Sequence, residues 1–496
     1  HLCIQSIWYR RQTAPLGVQV DNPPQWLSQE PEAQFITIAP DHVREAIWLA
    51  VAHRLDGLAT HGYGSLIEPQ THGYRYTHPE SREVFKRMVE QVVRPLGPVV
   101  KSVPERRPDL VILESFAAQI FAGHGTNGWG HGWIADLYLA LQWAHYQPGV
   151  IYEEELLRDR LAGIKVLVLP GCEVLPQSVY DEIKRFQRRG GIIVGDEYLV
   201  PGIIPDVSVS SVTRKTADAA GSKTALQTLG AAIRAELNEV YQPGVDADSP
   251  DIVVRRRSCG EADYLFVIND KRTYGDYVGQ WRMVMEEGLP NGATVTVDRA
   301  CGAAYDLMAH QAIPFASTNG KTRLRREFAT NDGTCVLLLD RPIAAVAADV
   351  PEKVVLGQRF QASVTLLDAD GKPVPAWVPV QVSLLNAAGE ELDGSGYFCT
   401  KNPSQNHPRR VERPSGTELP TGFRTGSKNR SENCHSQRGR PDEGEPASSS
   451  GPASENGRLV IDFTPSRNDL PGELTFRVRC LASGQTIEKK LHLVKP

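Results

Sequence analysis

The sequence predicts an α/β multidomain fold: a partial (β/α)8 barrel end, a doubly wound parallel domain, then β-sandwich domains. Three observations predict it. Up to residue 106, helix, strand, loop and helix follow one another, the pattern of a parallel α/β layer. Over 107–245, short apolar strands alternate with amphipathic helices, the pattern of a doubly wound sheet. From 246 onward the pattern turns to strands and turn residues, without a convincing long helix until the chain ends at 496, which is β-sandwich patterning. A chain of 496 residues accommodates about three or four domains of ordinary size.

In the first region (1–106), Asp41 precedes Val43, Ile47, Ala50 and Val51 at helical spacing. Asp56-Gly57 ends that helix and opens a strand at LATHGY (58–63). Thr77-His78-Pro79-Glu80 reads as a capping box with Pro at the first helical position. Val84, Phe85, Met88, Val89, Val92 and Val93 form the apolar side of the helix that follows. A whole eightfold barrel takes roughly 250 residues. The chain is therefore expected to begin partway through its barrel.

The second region (107–245) reads as strand 109–113, helix 132–145, strands 149–152 and 164–169, helix 176–189 and strand 191–196. The later helix ends in Arg188-Arg189-Gly190-Gly191, a cationic last turn before a glycine stop. The third region (246–345) is a small β-domain with strands at 251–256, 263–270, 294–298 and 334–340. The fourth (346–496) is an immunoglobulin-like sandwich with strands at 359–368, 379–386, 459–463, 473–481 and 486–494. It is interrupted by 401–455, where Pro, Gly and Ser number 22 and large apolar residues only three. Such a segment cannot bury enough apolar surface to offset its ordering entropy, so a disordered insert is expected. A reading-frame error is the alternative source of its abrupt onset.

Composition excludes several classes. A net charge of −5 gives no footprint for nucleic acid. No stretch approaches the roughly 18 apolar residues of a membrane span. The eight Cys are scattered singly, with no CxxC pair, so neither a metal site nor a disulfide framework is predicted. No cofactor is predicted either. The first residue is His, and the opening HLCIQSIWYR is no signal peptide. Localisation is unknown from the N-terminus, with secreted or periplasmic preferred.

Five motifs invite chemistry. GHGTNG (123–128) matches G-x-G-x-x-G. The dinucleotide site needs that loop directly after a strand, and SFAAQIFA (115–122) intervenes, so a surface connection is expected. Cys172 follows a strand but has no nucleophile elbow or His partner in view, so a buried structural thiol is expected. DADG (368–371) lacks the bidentate Glu of a calcium loop and reads as a hairpin turn. LDGLATHGYGSLIE (55–68) is more informative. It places His61, Tyr63, Ser65 and Glu68 at or past a strand's carboxyl end, where barrel enzymes collect substrate groups. An ordinary βα loop with a satisfied His is the competing reading. Similarly, VDNPPQW (20–26) sets Asp21 near the aromatic Trp26. That pair would suit a sugar subsite, or Asp21 would simply cap a turn before Pro23-Pro24.

Several stretches resemble glycoside hydrolase family 42, the β-galactosidases with a trimerisation domain. HVREAIWLAVAHRLDGLATHGYGS (42–65) is similar to the penultimate helix and last strand of that barrel, with Arg54 where Gly is usual. IKVLVLPGCEVLPQSVYDEIKRFQRRGGIIVGDE (164–197) resembles the core of the trimerisation domain, a flavodoxin/amidotransferase-like fold without its catalytic machinery. ADYLFVINDKR (262–272) and AAYDLM (303–308) resemble the small β-domain that follows. The closest overall resemblance is to large bacterial proteins of this clan with an added immunoglobulin-like domain.

The resemblance implies a carbohydrate substrate, such as a β-galactoside or polysaccharide, and a homotrimer. It sets Asp21 in the place of the nucleophilic Glu; Trp26, His61, Tyr63, Ser65 and Glu68 are the candidate substrate-binding residues of the two motifs above. Asp is one methylene shorter than Glu, a departure from the retaining pattern. Glycoside hydrolysis normally uses two carboxylates, and the acid/base member is expected upstream of His1. This fragment is therefore expected to be inactive alone. A non-catalytic carbohydrate-binding or assembly protein on a degenerate barrel is the alternative.

Overall fold

The computed structural model describes residues 2–9, 29, 35–67, 74–75, 77–122, 132–212, 219–273, 288–400 and 458–496. The first region contributes β1 (Leu2–Gln5), β2 (Ile7–Tyr9), β3 (Phe35–Thr37), α1 (Pro40–Val51), β4 (Leu58–His61), β5 (Tyr74–Arg75), α2 (Glu80–Met88) and α3 (Arg94–Ser102). β1 pairs in parallel with β4, setting Leu2 against Leu58 and Gln5 against His61. β3 lies between β2 and β5 in a separate sheet. α1 buries Val43, Ile47, Trp48, Ala50 and Val51, the face its spacing implies.

The expected capping box at 77–80 does not form. α2 begins at Glu80, and no side chain caps it. Thr77 is engaged elsewhere: Thr37 and Thr77 each donate a backbone N–H to the other's hydroxyl oxygen at 3.1 Å. This long-range pair takes the oxygen that a local cap would need. Between α2 and α3 the chain widens into a π turn, Val89–Val93. Pro95 and Pro98 each remove an N–H from the helical ladder just beyond it.

The second region builds β6 (Leu110–Glu114), α4 (Phe116–Phe121), α5 (Trp133–Trp143), β7 (Gly149–Tyr152), α6 (Glu153–Asp159), β8 (Val166–Leu169), α7 (Gln177–Arg188), β9 (Ile192–Gly195), β10 (Val207–Ser208) and α8 (Ala219–Leu237). Its five strands are all parallel, in the order β10-β9-β8-β6-β7. That order reverses direction between β6 and β8. Alternating side chains supply two cores. Leu110, Ile112, Val166, Val168 and Val194 face Ile134 and Leu137 of α5 and Ile233 of α8. Val111, Leu113, Leu167, Leu169 and Ile193 face Leu156 of α6 and Val179 and Ile183 of α7. α8 lies close against α5, and a Cβ at Gly230 would sit 2.2 Å from the Ala140 carbonyl oxygen.

The third region forms β11 (Val245–Ala247), β12 (Ile252–Cys259), β13 (Ala262–Asn269), β14 (Asn291–Val297), β15 (Ala303–Asp306), β16 (Gln311–Ala312), β17 (Ala316–Thr318), β18 (Lys321–Phe328) and β19 (Gly333–Leu339). Two sheets, β11-β14-β18-β17 and β12-β13-β19-β15-β16, enclose Val254, Leu265, Val267, Val295 and Leu324. The alternate residues Tyr264, Phe266, Ile268, Cys335 and Leu337 share a different core with Trp48, Leu96 and Val99 of α1 and α3. β13 and β19 are therefore buried on both faces, which explains their unbroken apolar runs. Arg257 of β12 is wholly buried and donates to the carbonyls of Val100 and Val103 at the end of α3. A cation there also complements the helix dipole.

The fourth region holds β20 (Ala345–Asp349), β21 (Lys353–Val355), β22 (Phe360–Leu367), β23 (Pro379–Leu385), β24 (Gly396–Cys399), β25 (Arg458–Phe463), β26 (Gly472–Cys480) and β27 (Thr486–Val494). They form sheets β20-β22-β25 and β21-β27-β26-β23-β24. Phe463 stacks on Phe360 and meets Phe476 edge-on. At DADG, the Asp368 Oδ1 accepts the N–H groups of Asp370 and Lys372, closing a turn after β22. The expected insert, 401–455, lies outside the described residues.

Candidate functional site

His61 is the last residue of β4, and Tyr63 opens a short 3-10 turn, Tyr63–Leu66. The strand end is tied down from below. The His61 carbonyl accepts the backbone N–H of Ser6 at 2.8 Å and its hydroxyl at 2.7 Å. Gly62 between them has φ +79°, and a Cβ there would lie 2.6 Å from Ile7 Cγ1. Only glycine allows this approach without displacement. The result holds His61 exposed and leaves Tyr63 51% exposed.

Tyr63 lines a groove of about 490 Å³ along α2 and the π turn. Arg82, Lys86, Glu90 and Arg94 line it with Tyr63. Their four-residue spacing puts them on one helical face, a signal present in the sequence but not used in predicting the site. π turns recur at functional positions. An exposed phenol among charged donors and acceptors can bind a hydroxyl-rich ligand. Of the other predicted residues, Ser65 lies in the same 3-10 turn. Asp21, Trp26 and Glu68 lie outside the described residues, so the structure brings together only His61, Tyr63 and the backbone of Ser65. The glycine-rich loop 123–128 is also outside them.

The carboxyl ends of the five-stranded sheet are the other place where such folds bind ligands. Here, among the described residues, the carboxylates that follow the strands are engaged by neighbouring donors. Asp196, after β9, accepts hydrogen bonds from Trp133 Nε1 at 2.7 Å, Gly171 N at 2.6 Å and Tyr198 N at 3.1 Å. Glu153 Oε1 accepts the Ser115 hydroxyl at 2.5 Å and the Ala117 N–H at 3.3 Å. Cys172 is 0% exposed, and its thiol donates to the Pro170 carbonyl at 3.6 Å. Burial, with Asp196 and Glu153 nearby, pushes the thiol well above its ordinary pKa. A neutral, enclosed thiol cannot act as a nucleophile. No group of three or more metal-ligating side chains occurs among the described residues. No described helix is long and apolar enough to cross a membrane.

No protein-family model matches the sequence, and no curated protein matches it. Among solved structures, the chain is similar to α-L-fucosidase isoenzyme 2 from Paenibacillus thiaminolyticus, at 12% identity and a TM-score of 0.41, over 61% of this chain and 58% of that one. It is similar to a GH42 β-galactosidase from G. stearothermophilus at 12% identity and 0.40, over 61% and 51%. It is also similar to a β-galactosidase from Bacillus circulans sp. alkalophilus at 14% identity and 0.39, over 61% and 52%. The chain thus spans less than two thirds of the length of each.

Proposed function

We propose that this protein is a glycoside hydrolase of the family 42 type, acting on O-glycosidic bonds of a β-galactoside or polysaccharide. The sequence resemblance over 42–65 and 164–197 supports the reading. The observation that carries it is the exposure of His61 and Tyr63 at the carboxyl end of β4, where Tyr63 lines a groove. Asp21 serves as nucleophile or charge stabiliser in this proposal. Trp26, His61, Tyr63, Ser65 and Glu68 bind the sugar, and an acid/base carboxylate must complete the pair. The region 107–245 supports a homotrimer, which light scattering coupled to size exclusion tests.

A second reading is a carbohydrate-binding or assembly protein on a degenerate barrel. Two departures favour it: Arg54 in place of Gly, and Asp21 in place of Glu. A panel of aryl glycosides separates the two. Asp21→Asn lowers turnover about 1,000-fold or more if Asp21 is the nucleophile. Equal residual turnover in both proteins supports the binding reading.

A further inference from the structure

A cavity of about 350 Å³ lies at the opposite end of β4 from His61 and Tyr63. His53 and Arg54 reach it from the loop that enters β4, and Asp109 and Gly149 from the starts of β6 and β7. Arg255 of β12 completes it from the small β-domain. Three separate regions of the chain thus build one pocket.

Its charge is unevenly spent. Arg54, Arg106 and Arg255 line it against two carboxylates, Glu105 and Asp109. Both carboxylates are already engaged. Glu105 holds Arg255 through Nη2 at 2.5 Å, takes the Arg54 backbone N–H at 2.9 Å and faces His53 Nδ1 at 3.4 Å. Asp109 accepts the Tyr241 hydroxyl at 2.7 Å and pairs with Lys165 at 3.4 Å and Arg106 at 3.5 Å. The Arg54 guanidinium is exposed and has no hydrogen bond or ion pair among the described residues. In the wall, the buried Tyr146 hydroxyl also has no hydrogen-bond partner among them. A buried hydroxyl without a partner is uncommon and costly.

We propose that this pocket binds a small organic oxyanion of monosaccharide size, with Arg54 and Arg106 receiving its charged group. Arginine forks suit phosphate, sulfate and carboxylate alike. The volume exceeds what a bare inorganic anion fills and falls at the small end of ligand cavities. The prolines of the wall, Pro108, Pro148 and Pro243, give the body of the ligand an apolar surface. The site is remote from the strand end that carries His61, so it does not rest on the glycosidase reading. Arg54, which replaces a usual glycine in the resemblance, gains a role here.

Isothermal titration calorimetry of the full chain tests the proposal with galacturonate, galactose 6-sulfate and glucose 6-phosphate, beside neutral galactose and sodium sulfate. At least one organic oxyanion is expected to bind about 10-fold or more tightly than galactose and sulfate, and more weakly as salt rises. The favoured oxyanion identifies the charged group. Arg54→Ala weakens that binding about 10-fold, and Arg54→Lys recovers part of it. The Arg54 guanidinium has no ion pair among the described residues and Arg54 is exposed, so its variants keep the wild-type melting temperature. The proposal is overturned if no organic oxyanion binds at millimolar concentration, if sulfate binds equally well, or if Arg54→Ala binds as wild type does.

Discussion

Two sets of parallel strand ends in this molecule face opposite fates. At the end of β4, a glycine turn pushes His61 and Tyr63 into solvent beside a groove. At the ends of β8 and β9, one buried carboxylate gathers three donors, and Cys172 beyond β8 is fully buried. Parallel strand ends thus carry either exposed side chains or a tightly bonded polar cluster. What decides is whether the polar groups after the strand satisfy one another.

Breaking the cluster should have the largest effect. Asp196→Ala leaves the Gly171 and Tyr198 N–H groups and the Trp133 indole without their acceptor, at a cost of about 4 kcal/mol in urea unfolding. A loss under 1 kcal/mol would show that water replaces the carboxylate. Next comes the hinge of the exposed strand end. Gly62→Ala introduces a Cβ against the buried Ile7 and a left-handed alanine, costing about 2 kcal/mol.

A smaller, pH-dependent effect belongs to Glu105, at the far end of β4. Burial opposes its ionisation, but His53, Arg255 and the Arg54 N–H outweigh that and hold its pKa well below 4.5. A depressed folded pKa contributes stability that is present above the unfolded value and lost as pH falls. Glu105→Gln should therefore be less stable than wild type at pH 7, and the gap should begin to narrow as pH falls below about 4.5 and keep narrowing well below that. A gap independent of pH would remove the ion pairs as its cause. The smallest effect on stability is Tyr63→Ala, within about 0.5 kcal/mol, although sugar binding at the groove should fall. Unchanged binding of every sugar tested would separate the groove from recognition.

The strands that were legible in the sequence are those whose burial is simple. β6, β8 and β9 are short apolar runs between turn residues, and β13 and β19 are buried on both faces. α8 escaped notice because its buried apolar residues, Leu226, Ile233 and Leu237, are sparse along a small-residue helix. β18, KTRLRREF, hides an inward Leu324 among charges, of which Lys321, Arg323, Arg325 and Glu327 are exposed. The cap at Thr77 failed because a partner 40 residues away, Thr37, took its hydroxyl. Of the candidate site, His61 and Tyr63 were readable as a strand end. The cavity around Arg54 was not, since its walls come from residues between 53 and 255 with no local motif.

The sheet containing β13 and β19 serves as one half of a sandwich and also as the floor beneath α1 and α3. It belongs to two neighbours at once. Melting the small β-domain therefore strips the support from those helices, and the two should be lost in a single calorimetric transition. In recombination between relatives, a crossover between 106 and 246 would separate Arg257 from the Val100 and Val103 carbonyls it holds. The helices and this sheet should be inherited together.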